Sequence, residues 1–356
     1  MPFRFLTAGE SHGQALVAIV EGLPAGVSFL HSFIQDELRL RRSGFGRSHR
    51  MTLEEDTVQV LSGIKNGKTL GFPITLLISN KDAKNLDTLP KLSAPRPGHA
   101  DLVGTLKFKH DDVRNSLERA SARETAIRTA VGALCQSFLK EFDIEFSSHV
   151  TQIGPVAVSP KTESKIKKLI QKCQTEGETL GGIFEVHVKG LPIGLGNFSQ
   201  WDLKLDGRLA QAVMSIPAIK GVEFGLGFYG ASLLGSQSQD EIFYDKKQKK
   251  NFGYVRKTLH SGGLEAGVTT GQKLILRAAM KPLSTLTKKP LKTVDMFTKE
   301  KNQALIQRTD TCVVPAASIV AKNVAAIELT KAFLEKFGGD SLEEVKKNYA
   351  HTFSEL

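Results

Sequence analysis

Cysteine is scarce in this chain: three residues in 356, at Cys135, Cys173 and Cys312. Too few and too scattered, they supply neither a disulfide framework nor the ligand spacing of a zinc site. Cys135 reads instead as a small apolar filler on a core helix. Aromatic residues make up 7% and are not interleaved with the basic ones, so the stacking surface of a single-strand nucleic-acid binder is missing. No apolar run reaches the roughly 18 residues of a membrane span. The opening Met-Pro-Phe-Arg-Phe-Leu-Thr-Ala-Gly-Glu carries no signal-peptide hydrophobic region. There is no Walker lysine loop and no HExxH. The expectation is a cytoplasmic protein with no membrane, nucleic-acid or metal partner.

Positive charge is what the chain has in excess. Lysine and arginine number 48 against 37 acidic residues, a net +11. The lysines of 165–172 and 245–250 read as solvated faces. The arginines sit instead beside Gly, Ser and Asp in short motifs, a distribution that suits a small polyanionic ligand better than a duplex. With 40% apolar and 24% charged residues, the chain is globular and long enough for a large core in one or two domains.

Residues 95–139 organise the rest. Pro95, Pro97 and Gly98 make a stiff turn that fixes His99. Ser121 and Glu124 have the spacing of a capping box, and Ile127, Val131, Leu134 and Phe138 behind them follow helical spacing. Arg119 and Arg123 flank that helix start, where free backbone N–H groups already favour an anion. Asp111, Asp112 and Arg114 between the two parts either orient the arginines or are ordinary loop charges.

Elsewhere, Phe3–Leu6 reads as a short strand and Ala15–Val20, a continuous apolar run, as a buried one. The polar loop between them brings His12 towards any ligand. A helix over Phe33–Arg42 runs into a glycine-containing loop, where Arg41, Arg47 and Arg50 can close over an anion. Residues 80–94 and 229–250 read as surface excursions. His260–Gly267 is a glycine-rich loop suited to close approach to a cofactor. The strand Lys273–Met280 ends in Lys281-Pro282-Leu283-Ser284-Thr285, a cation followed by two hydroxyls. Arg308-Thr309-Asp310 precedes Pro315 and an apolar helix over 317–337.

An internal repeat runs through these elements. Gly22-Leu23-Pro24-x-Gly26 recurs as Gly190-Leu191-Pro192-x-Gly194. The pattern Gly63, Gly67, Thr69, Gly71 recurs as Gly263, Gly267, Thr269, Gly271, and Arg119 before one core helix matches Arg308 before the other. The same order in both copies predicts two similar halves, about 1–150 and 180–338. Strands lie outside, helices inside, and a site sits at the junction. His12 and His99 can move protons near neutral pH, Asp310 can act as a base or an orienting carboxylate, and the cations can hold phosphate and carboxylate. The residues alone lead to acid–base chemistry on a phosphorylated, carboxylated small molecule.

Gly9-Glu10-Ser11-His12-Gly13, Arg96-Pro97-Gly98-His99-Ala100-Asp101, Arg119-Ala120-Ser121-Ala122-Arg123-Glu124-Thr125 and Arg308-Thr309-Asp310 together resemble the signature regions of the chorismate synthase family. The likeness spans essentially the whole chain. It implies an α+β fold, a β-α-β sandwich of two pseudo-symmetric halves with helices between two antiparallel sheets, assembled as a homotetramer. It implies anti-1,4-elimination of phosphate from 5-enolpyruvylshikimate 3-phosphate to give chorismate, with reduced FMN and no net redox change. By the same matching His12 protonates the departing phosphate, His99 protonates the reduced flavin, and Asp310 assists proton removal.

The resemblance further places Arg119, Ala120, Ser121, Pro217, Ala218, Ala266, Lys281, Pro282, Leu283, Ser284, Thr285 and Arg308 around FMN. Arg41, Arg47, Arg50 and Arg123 would bind substrate. In that family the positions of Arg41 and Arg47 are also assigned to NADP. With no added reductase domain, the chain is expected to rely on an external flavin reductase, NADPH serving only as a source of reducing equivalents. Two positions depart from the family pattern: Pro217 stands for the usual Asn and Ala266 for the usual Gly. Two other classes share some of these features. A basic nucleic-acid binder leaves His12 and His99 idle, and a net flavin oxidoreductase would consume flavin stoichiometrically with product.

Overall fold

The computed structural model of the chain describes residues 2–47, 54–247 and 251–354. The first sheet holds β1 (Arg4–Ala8), β2 (Ala15–Glu21), β3 (Val58–Ser62) and β4 (Ile74–Ser79), in the order β1-β2-β4-β3. The second holds β5 (Glu145–Ile153), β6 (Gly182–Lys189), β7 (Ile219–Phe224) and β8 (Leu274–Met280), in the order β7-β8-β6-β5, with the short strand Val156–Ala157 at its edge. Every pairing in both sheets is antiparallel. Among the described residues, the α-helices longer than four residues are α1 (His31–Arg42), α2 (Asp101–Phe108), α3 (Val113–Arg119), α4 (Thr125–Lys140), α5 (Glu163–Glu176), α6 (Leu205–Met214), α7 (Val314–Phe337) and α8 (Leu342–Ser354). Helix α4 packs on β2 and β4, α7 packs on β5 and β6, and the two helices pack on each other. The result is the expected β-α-β sandwich.

Alternation decides which face of each strand meets the helices. Leu16, Ala18 and Val20 of β2 are fully buried, whereas Ile19 is 42% exposed and its neighbour Leu6 on β1 72%. The apolar run at 15–20 is therefore buried on one face only, not on both. Helix α4 shows the opposite departure. Beyond the expected stripe, Thr129, Ala130, Ala133 and Ser137 are also buried, because α7 covers the side away from the sheet. The hydroxyls of Thr129 and Ser137 are satisfied within the helix, donating to Thr125 O at 2.8 Å and Ala133 O at 3.1 Å.

The repeat is expressed in hydrogen bonds. Thr69 Oγ1 donates to Pro24 O at 2.6 Å and accepts from Val27 N–H at 2.9 Å. Thr269 Oγ1 donates to Pro192 O at 2.7 Å and accepts from Leu195 N–H at 2.8 Å. Gly22 and Gly190, which open the two turns, have φ of 78° and 80°, a region a β-carbon disfavours. The strand orders match as well: β1-β2-β4-β3 in one sheet corresponds to β5-β6-β8-β7 in the other. Each half thus ends in its long helix, α4 or α7, and the second half opens with β5 at Glu145, ahead of the expected bounds of about 150 and 180; the two helices cross at the pseudo-twofold.

That crossing is close and partly polar. A β-carbon on Gly132 of α4 would lie 2.3 Å from Asn323 O of α7. Beside it, Gln136 Nε2 donates to Asn323 Oδ1 at 2.7 Å, and Asn323 Nδ2 donates to Glu37 Oε2 at 2.7 Å. Lys322 Nζ donates to Glu37 Oε1, also at 2.7 Å. All four side chains are buried, so α1, α4 and α7 are tied by a network that is costly to half-satisfy.

The anticipated capping box does not form. Ser121 accepts from Arg123 N–H at 3.3 Å, but Glu124 turns away to accept from Thr7 Oγ1 at 2.9 Å and from Arg128 Nη2 at 2.8 Å. A 3₁₀ turn at Ala122–Glu124 separates α3 from α4.

Glu37→Ala should leave Lys322 buried without its carboxylate and cost about 3–5 kcal/mol in urea denaturation. The double variant Glu37→Leu/Lys322→Met should recover most of that loss. Equal stability of Glu37→Ala and the parent would show that the pair does not fasten the three helices.

Candidate active site

Where the halves meet, the chain leaves three adjoining cavities of about 310, 190 and 540 Å³. Ser121 and Pro217 line all three. The walls come from the loop after β1, the turn before α2, the α3–α4 junction, the loop after β8 and the segment before α7. Ala120, Ala122, Pro217, Ala218 and Leu283 give the first cavity an apolar wall, and Lys84, Arg96, Arg114, Lys281 and Arg308 give it a cationic rim.

His12 reaches this cavity from a loop held down by α3. Its Nδ1 lies 2.9 and 3.0 Å from the two carboxylate oxygens of Glu118, and its backbone N–H donates to Glu118 Oε2 at 2.9 Å. Ser11 N–H donates to Glu118 O at 3.1 Å. Glu118 is 2% exposed and accepts at both oxygens, so Nδ1 carries the proton and Nε2 is the nitrogen left for a ligand. Nε2 lies 3.8 Å from Asp82 Oδ2.

His99 is built the same way from unrelated sequence. Its Nδ1 lies 2.5 Å from Asp101 Oδ1, on a carboxylate that is fully buried at the start of α2. Arg96 fixes that carboxylate with Nε to Oδ2 at 2.8 Å, Nη2 to Oδ1 at 3.0 Å and its backbone N–H to Oδ2 at 3.0 Å. Arg96 Nη2 also lies 3.0 Å from His99 Nδ1, but the closer carboxylate makes Nδ1 the donor to Asp101. Both imidazoles therefore present Nε2.

The remaining cations divide into two groups. Lys281 Nζ donates to Gly98 O at 2.9 Å and to Ser284 Oγ at 3.2 Å, closing the rim beside His99. Arg308 pairs with Asp82 at 2.5 Å and stays 53% exposed in its side chain. Arg47 pairs with Asp310 at 3.0 Å in the second cavity. Arg119 reaches Thr7 O and Thr7 Oγ1, both at 3.2 Å, on the wall of the third. Arg123 differs. It is 5% exposed and donates to Asn80 Oδ1 at 2.8 Å, to Glu54 Oε2 at 3.1 Å and to Asp56 Oδ1, so its guanidinium is engaged inside the chain. Arg41 shares Asp56, at 2.7 Å from Oδ2.

The cavities thus gather His12, His99, Ala120, Ser121, Pro217, Ala218, Lys281, Leu283, Ser284, Thr285 and Arg308, with Arg119 in the third cavity and Arg41, Arg47, Arg123 and Asp310 in the second. Pro282 and Ala266 do not line them. Ala266 sits in the turn between the strands Leu264–Glu265 and Val268–Thr270 at φ 51°, and Ala218 is at φ 69°. Both alanines occupy the left-handed region that glycine adopts without strain. The loop 260–267 packs on Gly225 and Ile275 rather than on the cavity. Arg50 lies outside the described residues. Glu118, Asp101, Asp82 and Lys84 had no assigned role in the sequence. Only their neighbours, His99 for Asp101 and Arg119 for Glu118, point to the first two; the segment 80–94 is largely exposed, as expected, but its Lys84 and Leu89 also line the first cavity.

A sequence model of the family described as chorismate synthase matches residues 3–334. The chorismate synthase of Thermoanaerobacter pseudethanolicus is 50% identical over 348 residues, covering 97% of each chain. That of Geotalea uraniireducens is 46% identical over 383 aligned positions, covering 98% of this chain and 97% of its own. A solved structure described as a crystal structure of chorismate synthase superposes with a TM-score of 0.81 at 40% identity, covering all of this chain and 98% of its own.

Burial works to raise the carboxyls of Glu118 and Asp101, but hydrogen bonds from His12, and from His99 and Arg96, hold each below its ordinary value of 4.5 or 3.8. Their contribution to stability is complete above those values and is lost as pH falls beneath them. Acid unfolding should therefore steepen below those ordinary values, and Asp101→Asn should flatten the slope while lowering stability at neutral pH. An unchanged acid slope in Asp101→Asn would contradict the pairing.

Proposed function

The chain belongs to the chorismate synthase family, and on that premise we propose that it converts 5-enolpyruvylshikimate 3-phosphate to chorismate, eliminating phosphate and a proton across four carbons. One observation carries the reading: two histidines with Nδ1 bonded to buried carboxylates line one cation-rimmed cavity. Phosphate is a poor leaving group unless it is protonated or neutralised, and a histidine nitrogen beside cations supplies both.

The residues suit reduced FMN as the cofactor. Ala120, Ala122, Pro217, Ala218 and Leu283 form an apolar wall for a flat ring system, and Lys281, Ser284, Thr285 and Arg308 offer donors to its polar edge and phosphate. When bound, reduced flavin supplies electron density that eases phosphate departure and is recovered when the proton leaves. The chain's own groups do the rest. His12 donates a proton from Nε2 to the phosphate oxygen while Glu118 holds the other side of the ring. His99 holds a proton at Nε2 where the first and third cavities meet. Asp310, oriented by Arg47 at 3.0 Å, accepts a proton, and Arg41, Arg47 and Arg308 hold the anionic groups. Arg123 acts by fixing Asp56, which in turn orients Arg41.

In this reading the halves, with their joint site, form one functional domain. The protein works in the cytoplasm as a homotetramer, takes its reduced flavin from an external reductase and uses NADPH only upstream. Among the described residues no helix is long and apolar enough to cross a membrane.

Anaerobic turnover with dithionite-reduced FMN should release phosphate and form chorismate with the flavin still reduced at the end. Flavin oxidised in step with product would point to a net oxidoreductase instead. His12→Ala and His99→Ala should each lose about 10²–10⁴ in turnover with the fold retained, and near-parental rates in both would remove the assigned roles.

A further inference from the structure

The segment after β4 reads from its sequence as a polar surface excursion, yet hydrogen bonds tie it to the loop that carries His12. Asn80 N–H donates to Gln14 O at 3.0 Å. Asn80 Nδ2 donates to both Gly13 O at 2.8 Å and Glu10 O at 3.1 Å. Lys84 N–H donates to His12 O at 2.8 Å. The carbonyls of residues 10, 12, 13 and 14 are thus all bound by residues 80 and 84, while Glu118 takes the N–H of His12 from the other side.

Asn80 is itself locked. It is 7% exposed, and its Oδ1 accepts from Arg123 Nε at 2.8 Å, which leaves only the amide nitrogen to face the loop. Arg123 is anchored in turn by Glu54 and Asp56, both buried. A hydroxyl or carboxylate at position 80 could not keep Arg123 as donor and also donate to two carbonyls.

We infer that Asn80 is a positioning residue for the reaction: with its orientation set by Arg123, it holds the 10–14 loop so that His12 Nε2 stands where the departing phosphate needs its proton. This rests on the elimination proposed above. Asn80 lines none of the three cavities, so it acts at a distance, through the loop of His12 that it holds; Asn80→Asp keeps its other contact, the acceptor for Arg123 Nε. A displacement of about 1 Å at a proton donor can cost on the order of 10² in rate.

Asn80→Asp keeps the volume and the acceptor for Arg123 and removes the donor to the loop; Asn80→Ser is a smaller, neutral second variant. Turnover is normalised to folded protein by near-ultraviolet circular dichroism, and FMN affinity is titrated separately. The expected result is a kcat lower by about 10², with KM and FMN affinity within about threefold of the parent. A kcat within fivefold of the parent, or a loss that merely follows FMN affinity, would overturn the inference. So would failure of both variants to fold, which would assign Asn80 to folding. Carbethoxylation by diethyl pyrocarbonate gives a readout without turnover. The His12 peptide should react at least threefold faster in the variants while His99 is unchanged, and equal His12 rates would count against Asn80. If the parent itself forms no chorismate, the elimination fails, and the carbethoxylation result still decides the role of Asn80.

Discussion

A carboxylate taken out of water must be given hydrogen bonds or a counter-charge. Glu54, Asp56, Asp101 and Glu118 are all at most 2% exposed, and the architecture of the site follows from how each is satisfied. Asp101 takes Arg96 and His99, and Glu118 takes His12. Asp56 takes Arg41 and Arg123, and Glu54 takes Arg123 together with Lys81 N–H at 3.0 Å. Breaking any of these would strand a buried charge, so the histidines are held by groups that have no cheap alternative. The net positive charge thus acts in two places in this molecule: it neutralises buried anions, and it puts Arg47, Lys281 and Arg308 on the cavity walls.

The pseudo-twofold brings these pieces together without making them alike. Thr69 and Thr269 make the same pair of hydrogen bonds in the two halves, so the scaffold is duplicated. The site is not. Both histidines and their carboxylates come from the first half, while Lys281, Ser284, Thr285, Arg308 and Asp310 come from the second. A cavity between copies of one scaffold can diverge on each side while the crossing of α4 and α7 keeps the sides in register.

Much of this was legible in order along the chain. The strands and core helices followed apolar spacing, and the repeat was readable because turns with positive φ and a buried threonine hydroxyl need particular residues at particular spacings. The histidine loops were legible because glycine and proline surround them. What was hidden depended on contacts between distant segments. Glu124 carried a local capping signal but is claimed by Thr7 and Arg128. Arg123 looked like a ligand-facing cation because Glu54, Asp56 and Asn80 lie far from it in sequence. The loop at 260–267 showed glycine's freedom, which served a tight packing contact with Gly225 rather than the cavity. Asn80 and Asp82 sat in a polar stretch with no periodicity, and nothing in residue type separates such a stretch from a solvated loop.

Each imidazole is fixed by a buried carboxylate at Nδ1 and turns Nε2 towards the cavity. Long-range ¹⁵N–¹H correlation spectra of ¹⁵N-histidine-labelled protein, assigned through His12→Gln and His99→Gln, report the tautomer of each ring directly. The expected result is a proton on Nδ1 of both rings. An Nε2–H tautomer with a bare Nδ1 in either ring would contradict it.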